Sequence, residues 1–282
     1  MNGLICVNKP KGLSSQQVVT RVKKILNCKK AGHLGTLDPL AQGVLVVALG
    51  RATKLFDYFL PKIKTYVARF TFGTETDTLD SAGKVVATCD KTVQETDVLK
   101  ALDAFIGEIS QLPPNYSALN VNGVKAYKLA RSGKEVQLQS RKVQVHSFKL
   151  LQQIDQNTFE FEIVCGAGTY IRALARDLAN SLGTVGHMSS LIRTASGNWN
   201  ISQSYTLDDV ERLKTECIVS MPDSLDELPT LEVETKWYQK LANGNPVLDY
   251  CDAPLSKVFC NGEFFGIAKG NGTLLKMEYF LK

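Results

Sequence analysis

Apolar residues fall along this chain in distinct rhythms, and each rhythm predicts its own element. Ser14 or Ser15 precedes a stripe at Val18, Val22, Ile25 and Leu26, the spacing of a capped amphipathic helix. Similar patterning predicts helices over about 96–106, closed by Gly107, and over about 170–182, ended by Gly183. From Lys64 to Gly73 the residues alternate strictly, which puts Tyr66, Ala68, Phe70 and Phe72 on one face of a strand. Phe159, Phe161 and Ile163 mark a second alternating strand, followed by Gly166-Ala167-Gly168. Short unbroken runs at Leu4–Val7 and Val44–Leu49 read as buried strands, with Lys9-Pro10-Lys11-Gly12 as the turn after the first. A six-residue run falls far short of the roughly 20 needed to span a membrane.

Toward the C-terminus, Asn261-Gly262 and Asn271-Gly272 interrupt alternating apolar segments and predict hairpins. Residues 229–282 therefore form a small β-rich module, marginal alone and expected to dock on a main body of residues 1–228. The acidic, proline-bearing stretch Met221–Pro229 is the expected linker. Helices interspersed with hairpin-like strands point to an α+β fold.

Charge sharpens this picture. The net +5 of the 282 residues is mild, but residues 1–60 carry +7, residues 61–230 carry −2 and the remainder is neutral. Within the middle stretch, 120–150 alone holds +6. Two basic blocks, 9–30 and 120–149, suit either a polyanion footprint or a plain solvated face. Lys9 opens the first block, and Arg21, Lys23 and Lys24 ride on the first helix as candidate phosphate contacts. Seven cysteines include no C-x-x-C pair, and the N-terminus lacks a signal-peptide pattern, so a reduced cytoplasmic protein is expected.

The densest chemistry lies in Gly32-His33-Leu34-Gly35-Thr36-Leu37-Asp38-Pro39-Leu40-Ala41-Gln42-Gly43. Pro39 holds Asp38 away from helix, so the carboxylate rides either a functional loop or a simple Asx turn. Tyr66 lies on an apolar strand face, where packing alone would account for it. Arg172 stands at the start of its helix against the macrodipole, which implies a nearby anion. The three histidines, His33, His146 and His187, have no metal-ligand spacing. Glu75–Asp80 lacks the spacing of a calcium loop and reads as solvated. Neither G-x-x-x-x-G-K-[ST] nor G-x-G-x-x-G is present, so no nucleotide cofactor is expected.

Taken as a set, GHLGTLDPLAQGVL, KTY at 64–66, GTYIRALARDL at 168–178 and LIRTASG at 191–197 resemble the TruB-type tRNA pseudouridine synthases. KPKGLSSQQVVTRVKK and LPPNYSALNVNGVKAYKLARSGKEV resemble the same family, and the likeness runs from about residue 3 to 230. The resemblance implies a mixed, mainly antiparallel sheet with flanking helices, and a PUA-like RNA-binding tail. It implies isomerisation of uridine 55 in the T loop of tRNA, without a cofactor, in a family also associated with tRNA folding; a monomer is expected, because nothing in the sequence suggests a large exposed apolar surface. Asp38 would be the nucleophile, Tyr66 would stack on the base and Arg172 would pair with Asp38. Tyr170 would wall the pocket, Leu191 would pack on the base, and His33 would fill the space that the flipped uridine leaves. Leu34, Val46 and Ala179 depart from the family pattern. A non-catalytic RNA-binding protein on the same scaffold is the alternative. A glycoside hydrolase needs a second placed acid and leaves the basic blocks unexplained.

Overall fold

The computed structural model describes residues 1–59, 63–117, 119–121, 123–126, 129, 132, 138–248 and 253–281. Lys128, Arg131 and Lys134 of the second basic block lie outside the described residues.

Strands β1 (Gly3–Lys9), β2 (Ala31–His33), β3 (Gln42–Leu49) and β4 (Lys64–Phe72) come from the first quarter of the chain. The short pairs β5 (Thr74–Thr76) with β6 (Val85–Thr88), and β8 (Asn120–Val121) with β9 (Val124–Lys125), stand apart from the main sheet. That sheet is completed by β7 (Gly107–Gln111), β10 (Arg141–Gln153), β11 (Thr158–Cys165), β12 (Gly186–Ser196) and β13 (Trp199–Asn200). Its order is β1-β3-β12-β4-β11-β10-β7, with β2 added on β3 and β13 on β12. Every neighbouring pair is antiparallel except β12 with β3, so the sheet is mixed and mainly antiparallel.

Helices α1 (Ser15–Ile25), α2 (Phe56–Phe59), α3 (Glu95–Leu102), α4 (Ile171–Ser181) and α5 (Leu207–Leu213) punctuate the strands. Ser14 caps α1 in a capping box with Gln17, and Val18, Val19 and Val22 turn inward as the spacing predicts. They join Ile5, Val7, Leu45 and Val47 and the buried face of β4 in the principal core. Phe70, Phe148 and Phe161 pack together in that core, Phe148 edge-on to the other two rings. The predicted helix over 96–106 is shorter: α3 ends at Leu102 and a 3₁₀ turn carries the chain to Phe105.

The tail forms a five-stranded sheet from β14 (Thr230–Val233), β15 (Val247–Leu248), β16 (Ser256–Cys260), β17 (Glu263–Gly270) and β18 (Leu274–Phe280), in the order β14-β16-β17-β18-β15. Asn261 and Gly262 both take positive φ in the β16–β17 turn, as the Asn-Gly pair requires. Val258, Phe265 and Leu275 belong to the tail's own core. Ile267 and Leu281 instead join Leu4, Val44 and Val46, the opposite face of β1 and β3. The expected linker is packed, not free: Met221 and Leu225 are buried in the same cluster. Proline and acidic residues mark a boundary in the chain, and Met221 and Leu225, four residues apart across a 3₁₀ turn, anchor it. No helix among the described residues is long and apolar enough to cross a membrane.

Gly43 shows how tightly β3 meets β12. Its φ is +98°, and a Cβ there would lie 2.2 Å from the Arg193 carbonyl oxygen. Gly43→Ala is expected to cost about 3 kcal/mol through backbone strain and forced separation of the two strands. A lowered Tm in thermal unfolding would show it; an unchanged Tm would mean that the strands yield freely.

Candidate functional site

A cavity of about 350 Å³ opens beside the carboxyl end of β11 and the start of α4. Asp38, Tyr66, Tyr170, Arg172 and Leu191 all line it, along with Lys64, Arg141 and Arg193. The loop after β2 delivers Asp38, whose neighbouring backbone is tied down twice. Ser15, at the start of α1, donates its hydroxyl to the Leu37 carbonyl and accepts from the Leu37 amide. Strand alternation aims Tyr66 and Leu191 inward from β4 and β12, which are neighbours.

Arg172 meets Asp38 at 2.9 Å between Nη2 and Oδ2. The same guanidinium donates to the Tyr116 carbonyl at 3.0 Å and to the Thr78 carbonyl at 2.8 Å, and lies 3.6 Å from Asp80 Oδ2. An arginine at the first turn of α4 thus finds two carboxylates and two carbonyls, which answers its unfavourable place on the helix dipole. Asp80 overturns the reading of Glu75–Asp80 as a solvated loop, because Asp80 is buried. Thr78 and the Ala82 amide donate to its Oδ1, leaving Oδ2 to face Arg172.

Asp38 is 37% exposed through the cavity mouth but walled by protein elsewhere. Burial pushes its carboxyl above the ordinary aspartate range; Arg172 and Lys9 pull it back, and Asp80 adds to the rise. Arg172 therefore offsets part of a larger burial cost and does not hold the group low. Burial likewise raises the Tyr66 phenol, opposed by Arg193.

Tyr170 caps α4 with its backbone clamped by buried Gln111, which accepts from its amide and donates to its carbonyl. The Arg141 guanidinium lies 4.6 Å from the Tyr170 ring centroid and hydrogen-bonds the Gly168 carbonyl. His33 sits on β2, outside the cavity lining, with Nδ1 buried and unpartnered.

Lys9 needs correction as a phosphate contact. Its side chain is 0% exposed, and Nζ donates to the carbonyls of Pro10, Leu13 and Pro39. It continues the inward face of Ile5 and Val7 on β1, so it braces the Asp38 loop from beneath. Burial pushes its ammonium down to about 8. Arg21 and Lys24 are exposed on α1 and Lys23 is half-buried there. Two cavity residues that sequence reasoning did not single out, Lys64 and Arg193, are both buried.

Residues 23–171 match the model of the TruB family pseudouridylate synthase N-terminal domain, and 172–228 that of the tRNA pseudouridylate synthase B C-terminal domain. The tRNA pseudouridine synthase B of Clostridium acetobutylicum is 43% identical over 250 residues, 88% of this chain and 86% of that one. The enzyme of the same name from Caulobacter vibrioides is 40% identical over 253 residues, 88% and 82% of the two chains. A chain of an H/ACA RNP bound to a substrate RNA containing 2′-deoxyuridine superposes with a TM-score of 0.72 at 25% identity, covering 99% of this chain and 85% of that one. With the cavity and the loop that carries Asp38 inside the matched span, this chain belongs to the TruB family of pseudouridylate synthases.

Proposed function

We propose that this protein isomerises uridine 55 in the T loop of tRNA to pseudouridine, with Asp38 as the nucleophile. The observation that carries the reading is the Asp38–Arg172 pair at 2.9 Å on the wall of a cavity that also presents Tyr66 and Leu191. The reaction exchanges a bond from C1′ to N1 for one from C1′ to C5, so it needs no redox step and no energy input. Its difficulty is to detach uracil, turn it and rejoin it without losing it to water. An ionised Asp38 supplies the electron pair, or the opposing charge, that C1′ needs as its bond to N1 breaks.

The target lies inside a folded loop and must be everted into the cavity. Stacking on Tyr66 and packing against Leu191 offset part of an unstacking cost on the order of a few kcal/mol. Tyr170, fixed by Gln111, closes another wall. The exposed face of α1 meets tRNA phosphates through Arg21, Lys23 and Lys24. Residues 229–282 act as a separate PUA-like RNA-binding module docked on the catalytic body 1–228. The enzyme works as a monomer in the cytoplasm on the T arm.

The test follows tritium release from an unmodified tRNA transcript labelled at C5 of uridine, with the modified position mapped afterwards. Release mapped to position 55 supports the reading. Tight binding without release would instead support an RNA-binding protein on this scaffold. Replacing Arg21, Lys23 and Lys24 together by Gln is expected to weaken tRNA binding. The slope of log K against log salt should fall by about 2–3, close to one per lost phosphate contact. An unchanged slope would remove α1 from the interface.

A further inference from the structure

Two further cations, Arg193 and Lys64, line the cavity wall. Arg193 stands directly across from Tyr66 on the neighbouring strand and is 1% exposed. Its Nε donates to the Val44 carbonyl at 2.7 Å, Nη2 to the Gly35 carbonyl at 3.1 Å and Nη1 to the Thr36 carbonyl at 3.5 Å. Among the described residues this guanidinium meets carbonyls, not carboxylates. Lys64 converges on the same place: a Cβ on Gly35 would lie 3.6 Å from both Arg193 Nη1 and Lys64 Cε. Burial and the Arg193 charge both lower the Lys64 ammonium. A guanidinium buried against carbonyls is costly unless an anion joins it. Arg193 and Lys64 stand beside Tyr66 and Leu191, where the base is placed.

We propose that Arg193, with Lys64 beside it, stabilises the uracil anion formed when the glycosidic bond breaks. The inference rests on the isomerisation reading. Both electrons of the C1′–N1 bond leave with uracil, and the charge spreads over N1, O2 and O4. Asp38 holds the electron-deficient C1′. The uracil then donates an electron pair from C5 to C1′ as the carboxylate departs. C5 loses its proton to solvent and N1 takes one up, so nothing is oxidised or reduced. Fixed cations in a water-poor cavity favour this anion over the neutral base, so they act on the barrier and not on binding.

The test must separate this role from simple bracing of the Gly35–Thr36 loop. Single-turnover conversion is measured on tRNA carrying either uridine or 5-fluorouridine at the target, by loss of the parent nucleoside after digestion. Fluorine acidifies the base and makes it a better anion without help. Arg193→Gln is expected to slow uridine conversion about 100-fold, with Kd for tRNA within about threefold of the parent. With 5-fluorouridine the slowing should shrink to about tenfold or less, and Arg193→Lys should recover part of the uridine rate. Equal slowing on both bases, or a loss that lies in Kd, overturns the proposal. Should Arg193→Gln fail to fold, Lys64→Met carries the same comparison with the same two outcomes. A parent protein that converts neither base would instead overturn the isomerisation reading beneath it.

Discussion

Asp38→Asn protein is expected to bind unmodified tRNA about as tightly as its parent and to lose isomerisation by roughly four orders of magnitude or more. Asn has almost the shape of Asp and keeps an oxygen for the Arg172 guanidinium, which lies 2.9 Å from Oδ2. What it lacks is charge. A neutral amide cannot give an electron pair to C1′, nor stabilise a cationic sugar. The fold should not suffer, because burial already disfavours the carboxylate at this place. An unchanged or slightly higher Tm, with tritium release abolished, would separate lost chemistry from lost structure. A rate within tenfold of the parent would remove Asp38 from the reaction.

Most of the fold was legible because its signals were local. Alternation in β4 and β11, the capped stripe of α1 and the two Asn-Gly turns each fix an element within a few residues. Pairing was not legible. Nothing in the composition of β3 says that it lies antiparallel to β1 yet parallel to β12. That arrangement depends on Gly43 approaching the backbone of Arg193, a contact about 150 residues apart in the chain.

The site divides in the same way. Asp38, Tyr66, Arg172, Tyr170 and Leu191 stood in motifs, and the cavity brings all five together. Lys9 is buried although its charge suggests a phosphate contact, because periodicity outweighs charge there. Ile5, Val7 and Lys9 follow the two-residue rhythm of one strand face, which already pointed the lysine inward. Leu191 and Arg193 follow the same rhythm, so a signal for the buried arginine existed. Asp80 had none. It lies in a polar turn and becomes buried through a bridge to Met188, which sequence proximity cannot foretell.

Arg172 therefore carries the second large effect. Arg172→Met fills much of the same space and leaves Asp38 and Asp80 facing each other without their shared cation. Breaking a buried ion pair from one side costs about 3–5 kcal/mol, and the part-exposed Asp38 places this case near 3. Tm should fall accordingly, and tritium release should fall with it. The pH profile carries the sharper sign. On the proposed reading the reaction needs ionised Asp38, so activity should be lost as pH drops through its pKa. Arg172 lowers that pKa and Asp80 raises it. Arg172→Met should thus move the acid limb to higher pH, whereas Asp80→Asn alone should move it to lower pH. The double variant should regain part of the lost Tm, because one of the two facing charges is gone. If the acid limb stays in place in both single variants, the groups do not set the charge of Asp38, and Arg172 serves only to join the Tyr116 and Thr78 backbones.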